Sequence, residues 1–424
     1  MLLLAPLEVA GLFLTGHAGY KNFEPLFIFI YILTRNKNFS VFCFVGSSLY
    51  NLCVMKQLLR KLVQAETTAE RGERAGAEVI STDLGQSGIN SRIDSWDGNR
   101  ANIIAQIKSA GRRGALLFAC HLDTVGPGEA SWKYPPFEGI ESEGRIYGRG
   151  SADMKGGIAA IVTAIRQIVE SGVKLKGDII LFAAAGEETD SCGAKRFVRN
   201  CGGTPELAGI VIPEPTDFEV ITAHRGLLWL KVTTIGKATH GSTPELGVNA
   251  IASMRAVLDE LENYKIRFEP HKLLGECSMS VNTIAGGKTI NVVPDKCDIG
   301  IDIRTLPAQN HQNIIADFQK NFARLKQKNP EFDADVSIVR EVKALETDSS
   351  CDFVKEFCSA AGINETRAVG FTTDGPHFTS LGAPVVIFGP GKPELCHKPD
   401  EYIDIADVEK AVEYYKNIIL RFLT

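Results

Sequence analysis

Glu187 and Glu188 stand side by side in LFAAAGEETDS, directly after an apolar run from Ile179 to Ala185. Adjacent carboxylates repel, and burial makes each harder to ionise. Such a pair at a strand end calls for cations or strong donors. Other chemistry-bearing residues stand in similar places. The run GALLFAC leads into His121, Leu122 and Asp123, AGIVIP ends at Glu214, and APVVIFGPGKPELC leads to His397. Asp153, in GRGSADMKGG, precedes a glycine pair and an apolar helical pattern. Two imidazoles and several carboxylates suit zinc and neighbouring first-row metals, and carboxylates can bridge two ions. Two ions about 3.5–4 Å apart can clamp a reacting centre and acidify a water. One glutamate of the pair could then bind metal while the other stays free to carry protons.

The elements that must position these residues follow from the pattern. Continuous apolar runs alternate with helical periodicity as far as AGIVIPEP, which points to a doubly wound, mostly parallel α/β sheet. In such sheets ligands bind beyond the carboxyl ends of the strands, where these residues fall. Gln57 to about Gly85 reads as one helix, with Leu58, Leu59, Leu62 and Val63 on one face. From Gly226 a strand–helix–strand–strand–helix–strand order suggests an inserted, ferredoxin-like α+β module. The α/β pattern resumes near Ala344. The expected divisions are 1–55, an unexplained apolar extension; 56–225, the first part of a catalytic domain; 226–340, the insert; and 341–424, the second part.

Composition narrows the function. With 424 residues, 44% hydrophobic and 23% charged, the chain can bury a large core. A formal net charge of −5 gives no general pull toward nucleic acid or anionic membranes. The ten cysteines form no CxxC pair, so a reducing, cytoplasmic setting fits better than a disulfide framework. Residues 1–55 hold two apolar stretches, broken at Glu8 and at Arg35 and Lys37, neither long enough for a membrane span. They read as a membrane-associating extension, a targeting segment, or residues upstream of a start at Met55, where the helical pattern begins. No phosphate-loop frame is present.

The motifs HLDTV (121–125), GRGSADMKGG (148–157), GEE (186–188), PEP (213–215), ATHGSTP (238–244) and CHKPDEY (396–402) stand in one order. That order resembles the M20 metallopeptidase and deacylase family, in its branch of acetylornithine deacetylases and succinyl-diaminopimelate desuccinylases. The resemblance covers about Lys56 to the C-terminus. It implies two divalent ions, zinc with cobalt or manganese as alternatives, held by His121, Asp153, Glu188, Glu214 and His397. Asp153 would bridge them, with a cis peptide after it. Glu187 would be general base and acid, and Asp123 would hold His121 by its other ring nitrogen. The insert would be a lid and dimerisation domain, and His240 would reach the oxyanion in the partner's site of a homodimer. Arg304 in DIRTLP would bind a substrate carboxylate, while Asn291 and Thr373, the latter in FTTDGPHF, would line the pocket.

The activity this implies is deacylation of an N-acyl amino acid by metal-activated water. Thr243, and the ending GPGKPELCHKPDEY, lean toward the deacetylase over the desuccinylase. An M20-type dipeptidase or carboxypeptidase, an inactive metal-binding protein and a membrane-associated protein are the alternatives. Each residue alone also has an ordinary explanation. A glutamate near a helix N-terminus gains only about 0.3–1 kcal/mol, Asp153 could cap a helix, His240 could shape a turn, and Arg304 could be a plain ion-pair partner.

Overall fold

Nine strands form the larger sheet of this computed structural model, which describes residues 27–34, 37–44, 47–200 and 206–424. The readings placed on residues 1–26 and on Arg35, and Cys201 among the ten cysteines, lie outside the described residues. Along the sheet the main order is Leu345–Glu346, Val220–His224, Val385–Ile387, Leu207–Ile212, Arg113–His121, Gly177–Ala184, Arg100–Ile107 and Ser91–Trp96, with Thr366–Val369 beside Val220–His224. The middle four, Val385–Ile387 through Gly177–Ala184, run parallel. Their side chains are buried on both faces, as the continuous apolar runs require. The hairpin Ser91–Trp96 and Arg100–Ile107 closes one flank antiparallel. Helices Gly156–Glu170 and Ile405–Leu423 pack together on one face, with Tyr415, Ile158, Ile161, Ile418 and Leu423 fully buried. Each such large apolar side chain contributes about 1.5–3 kcal/mol on burial.

The helix expected over Gln57–Gly85 is two helices, Ser47–Gln64 and Arg74–Gln86. The first begins well before Met55, because the apolar stripe runs back from Leu59 through Met55, 1% exposed, to the half-buried Leu52. The break between them has a long-range cause. Thr124 N–H bonds to the Thr67 carbonyl at 3.0 Å, and the Thr67 hydroxyl to the Leu122 carbonyl at 2.6 Å. Gly72 turns the connection at φ 77°, where an added Cβ would lie 2.5 Å from the Asn99 carbonyl oxygen. The connection therefore braces residues 122–124.

Before the first helix, Phe27–Thr34 and Lys37–Phe44 pair antiparallel. Among the described residues no helix is long and apolar enough to cross a membrane.

The chain leaves the large sheet after His224 and returns at Leu345. Between them four antiparallel strands lie in the order Ser278–Gly286, Lys296–Thr305, Gly226–Ile235 and Asp333–Val342. Helices Ala250–Asn263 and His311–Lys328 join them in the ferredoxin-like succession. Asn249 and Asn310 cap these helices by accepting from main-chain N–H groups two or three residues on. Leu228, Leu230, Val232, Ile299, Ile301, Met254, Val257 and Phe318 make a separate core.

Candidate metal centre

The register of the parallel strands sets the site. His121 pairs across from Ala184, so the ends of Arg113–His121 and Gly177–Ala184 coincide. Glu187 and Glu188 follow the second strand, and Glu214 follows Leu207–Ile212 on the other side. Asp153 sits in the kinked segment Ser151–Lys155, where its own backbone is not helical (φ −115°, ψ 97°), ahead of helix Gly156–Glu170. A Cβ at Gly157 would lie 2.2 Å from the Pro213 carbonyl oxygen, so only glycine lets this helix approach the Glu214 segment so closely. His397 arrives from the C-terminal part with φ 63°, the left-handed region. The Asp153–Met154 peptide is cis.

These residues form two triads that share Asp153. One is His121, Asp153 and Glu214; the other is Asp153, Glu188 and His397; within each, one atom from every residue lies within 4.8 Å of the others. His121 Nε2 is 3.1 Å from Asp153 Oδ1 and 3.6 Å from Glu214 Oε1. His397 Nε2 is 3.2 Å from Asp153 Oδ2 and 2.9 Å from Glu188 Oε1. The carboxylate of Glu187, nearly buried beside them, belongs to neither triad.

Asp123 holds this geometry in a way the sequence reading did not foresee. His121 Nδ1 lies 3.0 Å from the main-chain oxygen of Asp123, not from its carboxylate, whose nearer oxygen is 3.6 Å away. A proton on Nδ1 leaves Nε2 free as a ligand. The Asp123 carboxylate instead accepts the N–H groups of Glu187 at 3.1 Å and Glu188 at 3.0 Å.

The electrostatics fit cations. Burial pushes Glu214 up to about 7 and raises Glu187 and Glu188, with neighbouring carboxylates adding to the burial in each case. Burial would raise Asp153 too, but hydrogen bonds from His121 and His397 hold it well below the usual range. Hydrogen bonds to Asp153 and Glu188 lift His397 to about 10. Protons thus sit where divalent cations would bind, and the mixed nitrogen and oxygen donors suit first-row metals. The residues present fit a pair of such ions.

The other expected site residues are placed elsewhere. His240 and Asn291 come together on the small module, where His240 pairs with Val292 and the Asn291 carbonyl accepts Gly241 N–H at 2.8 Å. His240 is exposed and its Nδ1 contacts the Ser242 hydroxyl at 2.7 Å. Arg304 is engaged fork-to-fork by Asp302 at 2.9 and 3.1 Å. Thr373 is buried, with its hydroxyl 3.1 Å from His224 Nε2. Among the described residues no hydrogen bond or ion pair joins any of these four to the two triads.

Three residues near the centre were not singled out from the sequence. Glu401, 1% exposed, accepts the N–H groups of Ala152 at 3.0 Å and Asp153 at 3.2 Å and pairs with buried Arg149. Its place in CHKPDEY, four residues after His397, was the available signal. Asp374, whose carboxyl burial pushes up to about 6, adds negative potential at Glu187. Arg340 reaches across from the small sheet to the main chain of Glu187 and Glu188.

The model of peptidase family M20/M25/M40 matches residues 117–421. The chain belongs to this family. Its relatives include the acetylornithine deacetylase of Proteus mirabilis strain HI4320, 32% identical over 326 residues, covering 76% of this chain and 82% of that protein. A probable succinyl-diaminopimelate desuccinylase of Staphylococcus aureus strain N315 is 29% identical over 404 residues, covering 87% and 97%. Among solved structures, an M20 family metallo-carboxypeptidase from Sulfolobus solfataricus is similar in fold, with TM-score 0.71 and 18% identity, covering 89% of this chain and 99% of that one. Membership of this M20 family makes the chain a hydrolase of amide bonds.

Proposed function

We propose that the chain removes the acyl group from an N-acyl amino acid, using two divalent cations, and that Glu187 carries the proton. The observation that supports this most is the pair of triads sharing Asp153, with the Glu187 carboxylate beside both and part of neither. Ions held by His121, Asp153 and Glu214, and by Asp153, Glu188 and His397, would polarise an amide carbonyl and make water a better acid. Zinc matches the imidazole and carboxylate donors, with cobalt and manganese as alternatives.

Glu187 then takes the proton from the attacking water and delivers it to the leaving amine. Burial raises its carboxyl well above the ordinary glutamate range, so it holds a proton more readily than a free glutamate, which suits delivery to the leaving amine. Asp123 keeps the Glu187–Glu188 turn and the His121 ring in place. His240 of one copy would donate to the oxyanion in the other, worth about 2.7–4 kcal/mol for one such donor. A homodimer through the small sheet is supported by its exposed edge strand Ser278–Gly286, which presents Val281 and Ile284 to solvent. Arg304 would exchange its contact with Asp302 for the substrate carboxylate, with Asn291 and Thr373 near it.

Assaying N-acetylornithine, N-succinyl-diaminopimelate and simple dipeptides against the metal-loaded protein tests the reading. Fastest release of free amine from the N-acetyl substrate is expected. Turnover of dipeptides alone would replace it with the peptidase alternative, and turnover of none would overturn it.

A further inference from the structure

The Glu187–Glu188 turn is gripped from two sides by two different sheets. The large sheet supplies Asp123, whose two carboxylate oxygens accept the N–H groups of both glutamates, at 3.1 and 3.0 Å. The small sheet supplies Arg340, whose Nη2 donates to the Glu187 carbonyl at 2.6 Å and whose Nη1 donates to the Glu188 carbonyl at 3.3 Å. All four main-chain polar groups of the pair are thereby engaged. A charged guanidinium makes stronger bonds to carbonyls than a neutral donor, and its fork serves two acceptors at once.

Arg340 reaches the turn because of a local irregularity. In the pairing of Gly226–Ile235 with Asp333–Val342, Trp229 faces Arg340 but Leu230 faces Ile338, so Val339 is an extra residue. In an unbroken register Val339 would stand opposite Trp229, and Arg340 would stand opposite Leu228, whose side chain is buried in the small sheet's own core. The bulge turns Arg340 to the other face, with its guanidinium carbon 5.8 Å from the Trp229 ring centroid, and leaves Val339 62% exposed. A cleft of about 890 Å³ runs along this junction, lined by Thr189, Ser191 and Cys192 on one side, Arg340 and Lys343 on another, and His377. The Arg340 contact spans this cleft from the small module to the large one.

We infer that Arg340 is a positioning residue that ties the seating of the small module on the large one to the alignment of Glu187. When the small module is seated, both carbonyls are held and the Glu187 side chain has a fixed origin. When it moves away, the turn keeps only the Asp123 half of its support. Opening for substrate entry or product release thus disengages the proton carrier, and closure restores it. The inference rests on the reading of Glu187 as base, but the clamp itself is measurable without turnover.

The full-length chain is compared with Arg340→Met and Arg340→Lys, each checked for folding by circular dichroism and for bound metal by elemental analysis. Arg340→Met is expected to lower kcat by about 10²-fold, as small misplacements of reacting groups do, with KM little changed and metal content as in the parent. Arg340→Lys should recover part of the loss, and Arg340→Met added to Glu187→Gln should cost little more than Glu187→Gln alone. Hydrogen exchange at the Glu187 and Glu188 amides should speed up in Arg340→Met. Unchanged exchange at those amides, or losses that multiply in the double variant, would overturn the inference. If the parent chain hydrolyses no amide in the panel, the proposed function fails, and the exchange measurement alone decides the clamp.

Discussion

Glu188 Oε1 lies 2.9 Å from Nε2 of His397, across 209 residues of chain. That contact closes the second triad, and Asp153 joins it to the first. The two ion positions should therefore depend unequally on single residues. Asp153→Ala should abolish tight binding of both ions, whereas His397→Ala should weaken one and leave the His121 and Glu214 position occupied. Isothermal titration of chelated protein with zinc reads this directly. Equal losses in the two variants would contradict the shared role of Asp153.

Removing metal should make stability depend on pH in a defined sense. The folded-state pKa of Glu214 rises from 4.5 to about 7, chiefly through burial, and Glu188 and Glu187 shift the same way. A carboxyl raised in the fold contributes stability below its unfolded pKa and loses it as pH climbs through the folded value. For Glu214 the span is about 4.5 to 7, on the order of 3 kcal/mol. His397, raised from 6.5 to about 10, continues the same trend at higher pH. Asp153, held low, acts oppositely, but only in acid near and below its ordinary 3.8. The Tm of chelated protein should fall from pH 5 to pH 9, and added zinc should flatten the fall because ions replace protons. A Tm that rises over this range without metal would contradict the assignment.

Asp123→Asn keeps size but leaves one acceptor oxygen for two N–H groups, setting an amide NH₂ against the other. Metal affinity should drop about 10–100-fold, the usual cost of disturbing groups behind a ligand, and kcat should fall with it. Zinc titration and steady-state kinetics check both. Loss of kcat with unchanged affinity would confine Asp123 to the turn.

Glu401→Ala would leave Arg149 charged, buried and unpaired, and would free the Ala152 and Asp153 amides. Breaking a buried pair from one side costs about 3–5 kcal/mol. Urea unfolding of the metal-free protein should show that loss, while an effect under about 1 kcal/mol would mean that water replaces the carboxylate.

Much of the centre was legible in the sequence because strand ends are marked there. His121, Glu187, Glu188 and Glu214 each follow an apolar run, and parallel register brings such ends to one rim. Asp153 and His397 were legible through motif order. The helix break after Gln64 was not, because its cause is the pairing of Thr67 and Thr68 with residues 122–124, far along the chain. Nor was Arg340, since alternation alone assigns it to the wrong face and the extra residue at Val339 leaves no local mark. The role of the Asp123 side chain depended on where two N–H groups pointed. His240 and Arg304 show the limit differently: one copy of the chain places them on the small module, bound to Ser242 and Asp302.

The proposed function divides the glutamate pair, with Glu188 holding metal and Glu187 moving protons. Bound metal and turnover, measured side by side in Glu187→Gln and Glu188→Gln, test it most directly. Glu187→Gln should keep the parental metal content with turnover reduced about 10²–10⁴-fold, and Glu188→Gln should show a lost or weakened ion. Near-normal turnover in metal-loaded Glu187→Gln, or loss of metal from that variant with retention in Glu188→Gln, would contradict it.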